Sequence, residues 1–151
     1  YKISNDDAQK KINEVITNGY AAEKFEMMVA ALGGPKNILS SYEKDLSNNS
    51  LPKDIFGQNS GWVEKIHTRE LGLTLIELGG GRKQVTDRIN YGVGYDNVCS
   101  VGDKIDSSRP LLTLYSNKID DDKKLEDRIK DCFVISEKEI TKLPEIYEHI
   151  N

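Results

Sequence analysis

The stretch LGGGRKQVTDRINYGVG, from Leu78 to Gly94, holds the residues whose types and spacing come nearest to chemistry. Gly79, Gly80 and Gly81 run straight into Arg82, with Lys83, Asp87 and Arg88 close behind. Glycine-rich backbone with basic neighbours is the usual material of a phosphate cradle, because small residues let several amides converge on one anion. The surrounding pattern argues against a cradle here. A Walker loop requires G-x-x-x-x-G-K-[ST] between a strand and a helix, and no Lys-Ser or Lys-Thr pair follows these glycines. A dinucleotide fingerprint requires G-x-G-x-x-G, and Gln84 stands where the third glycine belongs. The spacing of Leu71, Leu75, Ile76 and Leu78 instead puts a helix before the glycines, so Gly79 reads as its cap with φ > 0. Two further glycines exceed what a cap needs. They imply either backbone pressed against a neighbour or a loop that moves. Arg82 has two readings, an ion pair with Asp87 inside the loop or a contact with another part of a larger molecule.

Other catalytic templates are missing from the sequence. It has no G-x-S-x-G elbow and no H-E-x-x-H pair, and its 25 acidic residues are scattered. Cys99 and Cys132 are the only cysteines and form no C-x-x-C motif, which suits two free thiols in a reducing compartment. His67 and His149 are too far apart to suggest zinc. No catalytic residue, cofactor site or metal site can be named from chemistry alone. A net charge of -4, with both signs interspersed, leaves no basic face for nucleic acid. Apolar runs are broken every few residues, so no helix spans a membrane. The opening YKISNDD lacks a methionine and does not resemble a secretion signal, as expected for a piece of a longer protein.

The elements that position these residues follow from periodicity and punctuation. Ser4 with Asp7 predicts a capped helix with Ala8, Ile12, Val15 and Ile16 on one face, stopped at Asn18-Gly19. A second helix carries Ala21, Phe25, Met28, Val29 and Leu32 and ends at Gly33-Gly34-Pro35, with Met27 and Met28 expected to fill a core. Ile38, Leu39 and Tyr42 suggest a short third helix, and Asn48 to Pro52 a loop. Beyond Pro52, GWVEKIHT reads as a strand, with Thr68 capping the helix that leads to the glycines. Leu111 to Tyr115 is a further strand. Asp120 to Asp122, with Lys123 and Lys124, open a helix carrying Leu125, Ile129 and Phe133. CFVIS is either a buried strand or a helix end followed by a short strand, and LPEIYEHI reads as a turn-like tail.

Three longer stretches carry a resemblance. NGYAAEKFEMMVAALGGP, GWVEKIHTRELGLTLIELGGGRKQVTDRINYGVGY and VGDKIDSSRPLLTLYSN are similar, in this order, to the pyrimidine nucleoside phosphorylase family. The likeness runs from about Asp6 to about Tyr147. It is carried by Thr68-Arg69, Leu71-Gly72, Gly79 to Arg82, Gln84, Asp87, Val93-Gly94, Gly102-Asp103 and Arg109-Pro110-Leu111. The thymidine phosphorylase pattern fits better than the uridine-accepting one.

The resemblance covers only the C-terminal third of such an enzyme. It implies an α+β fold: an α/β-hammerhead or barrel-sandwich-like C-terminal domain over 53–151, preceded by a helical segment of the large α/β lobe over 1–52. It also implies a cytoplasmic homodimeric pentosyltransferase that reversibly converts thymidine and phosphate to thymine and 2-deoxyribose 1-phosphate. No cofactor is implied, phosphate being a co-substrate. The phosphate loop and pyrimidine-binding segments belong upstream, so the expected partner is the remainder of the same enzyme, and no catalytic residue falls within this chain. The chain alone is expected to be inactive and structural. Gly79, Gly80, Gly81 and Arg82 then become a candidate loop that meets the facing lobe on closure. Two rivals remain: a free-standing interaction module, and a biotinyl or lipoyl carrier, which VGDKIDSSRPLLTLYS also resembles. The carrier is disfavoured because neither an M-K-M nor a D-K-A tripeptide occurs.

Overall fold

A computed structural model of the chain describes residues 3–46, 50–116 and 123–144. Two compact units are present, Tyr1–Ser47 and Asn48–Asn151.

The first unit is three helices: α1 (Asn5–Thr17), α2 (Tyr20–Ala31) and α3 (Ile38–Asp45). Ser4 caps α1 as its sequence predicts, its hydroxyl oxygen accepting from the Asp7 amide at 3.1 Å. Such a cap stabilises a helix by about 1 kcal/mol. Gly19 (φ 85°) and Gly33 (φ 90°) supply the turns after α1 and α2. α2 packs on both neighbours, and Glu26 of α2 accepts from the Leu39 amide of α3. The predicted apolar faces exist but are not buried. Ile38 is the one hydrophobic residue of this unit that is buried among those described, while Ile16 is 61% exposed. Met27 and Met28, expected to fill a core, are 54% and 51% exposed. Three short helices have too little mass to enclose one another's apolar faces.

The second unit is a mixed structure of helices and antiparallel sheets, the α+β class expected from the sequence. In chain order it holds β1 (Pro52–Ile55), β2 (Gly61–Ile66), α4 (Thr68–Leu78), β3 (Gly94–Asp96) and β4 (Lys104–Ile105). β5 (Leu112–Tyr115), α5 (Lys123–Asp131) and β6 (Phe133–Ser136) complete it. One sheet has the order β1-β5-β3 and the other β4-β2-β6. β5 is the central strand of the first sheet, and Leu112, Thr113 and Leu114 on it are all buried. A strand buried on both faces must be apolar along its whole length, which is why LLTLY stands out in the sequence. Its single buried hydroxyl is satisfied across the ladder: Thr113 Oγ1 donates to Asp54 Oδ1 of β1 at 2.7 Å.

One core joins the two sheets and two helices. Leu112 and Leu114 of β5 cluster with Ile55, Val63, Leu71, Leu78, Ile105 and Ile129. Glu77 of α4 receives both guanidinium nitrogens of Arg128 on α5, at 2.6 and 3.1 Å. Helix α5 buries Leu125 and Ile129 as predicted, whereas Phe133 belongs to the strand that follows. CFVIS therefore resolves as the second of its two readings, a helix end and then a short strand. The expected helix start at Asp120 to Asp122 and most of the tail lie outside the described residues.

Three strands depart from the sequence reading. β1 opens on Pro52, at a position expected to lie in a loop, and an edge strand tolerates proline at its first residue because no ladder amide is needed there. β3 and β4 are three and two residues long, too short to show a period of two. Thr68 is the first residue of α4 rather than its cap. The His67 amide donates to the Cys132 carbonyl at 2.8 Å, and His67 takes the capping position without a side-chain bond.

The unequal burial of the two units has a measurable consequence. Leu112→Ala, at a position fully enclosed by the core, is expected to cost about 2–5 kcal/mol in urea unfolding. Ile16→Ala is expected to stay within about 0.5 kcal/mol. Equal losses would contradict the placement of α1's apolar face in solvent.

Candidate functional site

The glycine run is built on the end of α4. The amide of Gly79 donates to Ile76 O and that of Gly80 to Leu75 O, both at 3.0 Å. This pair of bonds is a Schellman closure, and Gly79 has the positive φ it requires, 101°. The next two glycines serve close packing. A Cβ on Gly80 would meet Leu75 Cγ at 3.0 Å and Val93 Cγ1 at 3.2 Å, and one on Gly81 would meet Ile76 Cγ1 at 2.7 Å. Of the two explanations the sequence allowed for the extra glycines, the geometry therefore supplies tight approach to α4.

The rest of the loop is closed on itself. Asp87 Oδ2 accepts from the amides of Lys83 and Gln84, each at 2.9 Å. The Asn90 amide donates back to Gly79 O at 2.8 Å, and its side-chain oxygen accepts from the Gly92 amide at 3.0 Å. The chain then enters β3 at Gly94. There Tyr95 is tied to α4: Thr74 Oγ1 donates its one proton to Leu71 O, so the Tyr95 hydroxyl must donate to Thr74, at 2.8 Å. Burial pushes the Tyr95 phenol above its ordinary value.

This arrangement decides between the readings of the loop. A phosphate cradle offers free, convergent amides. Here the amides of Gly79, Gly80, Lys83 and Gln84 already have acceptors within the chain. Asp87 binds loop backbone, and among the described residues no carboxylate forms an ion pair with Arg82. Arg82, Lys83 and Arg88 are exposed together with Val85, at 91%, and Tyr91, at 89%. The loop is a braced prong with a basic and partly apolar tip.

The other polar cluster was only half visible in sequence. Asp103, 6% exposed, accepts from Arg109 Nη2 at 2.7 Å, Lys142 Nζ at 2.8 Å and the Ser100 amide at 2.9 Å. The Lys142 ammonium above all, then the Ser100 amide, holds this carboxyl below the usual aspartate value. Gly102-Asp103 and Arg109 stand in motifs the sequence singles out, but nothing in the spacing predicts that Lys142 joins them. No group of three or more His, Cys, Asp or Glu side chains could hold a metal among the described residues. No helix there is long and apolar enough to cross a membrane.

Residues 62–136 match the family model of the pyrimidine nucleoside phosphorylase C-terminal domain. The chain carries that domain. The match spans β2 through β6, and so includes the braced loop, the Gly102-Asp103 turn and α5. Within the phosphorylase C-terminal domain, Gly79, Gly80, Gly81 and Arg82 stand contiguous at the end of α4.

The roles of these residues separate in a stability measurement. Gly79→Ala forces a side chain into the left-handed region and is expected to cost about 1–2 kcal/mol. Arg82→Ala, which removes no described partner, is expected to cost less than about 0.5 kcal/mol. Urea unfolding of both variants checks this, and a large loss for Arg82→Ala would show that the arginine braces the fold.

Proposed function

We propose that this phosphorylase C-terminal domain serves a thymidine phosphorylase, which reversibly converts thymidine and phosphate to thymine and 2-deoxyribose 1-phosphate. The observation that carries this reading is the family match over 62–136. The thymidine preference rests on the sequence likeness described above. In this reading the nucleoside and phosphate sites lie in other lobes of the same enzyme, a cytoplasmic homodimer, and the present chain supplies structure. Phosphate is the co-substrate and no organic cofactor takes part. Attack of phosphate on the anomeric carbon places growing charge on the departing pyrimidine, so catalysis rests on positioning and electrostatics.

Arg82 has the role of a cross-lobe contact in this scheme. Arg82 is exposed on the braced loop, with Asp87 occupied elsewhere. Closure of two lobes around substrate brings such groups onto facing surfaces, and a prong held by backbone bonds presents one with little further backbone ordering. A second carboxylate or carbonyl across the cleft would complete the bond.

Phosphate-dependent release of thymine is the assay. The 151-residue chain alone is expected to show none above background, and in the complete enzyme thymidine is expected to be cleaved faster than uridine. Arg82→Ala in the complete enzyme is expected to lower kcat about tenfold, the equivalent of one charge-assisted hydrogen bond. Phosphorolysis by the 151 residues alone would overturn the assignment of the active site to other lobes. Unchanged kcat in Arg82→Ala would remove the closure contact.

A further inference from the structure

After β6 ends at Ser136, the chain runs without helix or strand through residue 144. Among the described residues, no backbone hydrogen bond joins 139–144 to the rest of the unit. Lys142 fastens this segment, in which Ile140 is also half-buried. Its ammonium meets Asp103 Oδ1 at 2.8 Å. Its backbone crosses the neighbouring glycine so closely that a Cβ on Gly102 would lie 2.7 Å from both Lys142 N and Cα. Gly102 also needs its positive φ, 86°, and its amide donates to Val63 O at 2.8 Å, while the Val63 amide donates to Asp103 O at 2.9 Å. The fixed half of the contact is therefore a turn clamped to β2, and the loose half is an unladdered segment.

Beside this contact lies a cavity of about 530 Å³. Lys142 and Leu143 form part of its wall, with Ile66, Asp103 and Arg109, and the buried Cys99 lines it as well. We propose that residues 137–144 are a strap, latched to the Gly102-Asp103 turn through Lys142, whose release opens the Cys99 cavity. The charged groups around the latch are Asp103, Lys142 and Arg109. Arg109 holds the same carboxylate from the loop before β5, so it steadies the fixed half of the latch. Lys142 is 73% exposed, which makes the ion pair weak and open to screening. A weak fastening on an unladdered segment favours opening without unfolding.

The thiol of Cys99 reports the opening. Burial pushes it up to about 11, so it reacts slowly while enclosed. Labelling of the intact chain with N-ethylmaleimide, followed by peptide mass spectrometry, reads Cys99 and Cys132 separately. Lys142→Ala is expected to speed Cys99 labelling about two- to fivefold, and Lys142→Glu further, with Cys132 unchanged. Raising salt is expected to speed Cys99 in the parent chain and to have little effect in Lys142→Ala. Removing a cation near a thiol disfavours the thiolate, so electrostatics alone would slow the reaction. Acceleration therefore reports access. Faster amide exchange over 139–144 in the same variants, with the melting temperature unmoved, is expected alongside it. A Cys99 rate equal to the parent's in Lys142→Glu would overturn the strap, and so would parallel acceleration of Cys132, which would signal general loosening.

Discussion

The left-handed turn at Gly79 is the constraint on which the second unit's loop and sheet depend. A residue with a side chain resists φ near 100°, and only that angle folds the chain back over the last turn of α4. Once it is folded back, Gly80 and Gly81 must lie against Leu75 and Ile76, where no Cβ fits without displacement. The loop then returns, through the Asn90 bond to Gly79 O, to the point where β3 can pair with β5. One backbone angle thus connects a helix terminus to the edge of a sheet.

The same geometry explains why a glycine run beside basic residues need not bind an anion. Anion binding by backbone needs amides without partners, whereas the amides of Gly79, Gly80, Lys83 and Gln84 point at a carbonyl or at Asp87. Glycine here serves conformation at one position and proximity at two. The basic side chains are left outside, on a tip whose Val85 and Tyr91 are also exposed.

Much of this was legible in the residues. The Ser4 cap, the Gly79 cap, the β5 run and the apolar spacing of α5 all follow from local rules, and they hold because local and tertiary preferences agree. β1, β3 and β4 were not legible, being short edge elements that exist through pairing with longer neighbours. Met27 and Met28 of α2 lie outside a core for a related reason, since periodicity shows that a face is apolar but not what covers it. Within the site, Gly79 could be read from its position after a helix. The engagement of Asp87 with Lys83 and Gln84, and the meeting of Lys142 with Asp103, depend on three-dimensional approach that spacing does not encode.

In this phosphorylase C-terminal domain the glycine loop is backbone braced by its own hydrogen bonds. The direct measurement is a titration of the isotopically labelled chain with inorganic phosphate, followed through the amide resonances of Gly79 to Gln84. No saturable shift is expected at these amides. Saturable shifts at Gly79, Gly80, Lys83 and Gln84 would contradict this bracing, because those amides would then have left their internal acceptors to hold the anion.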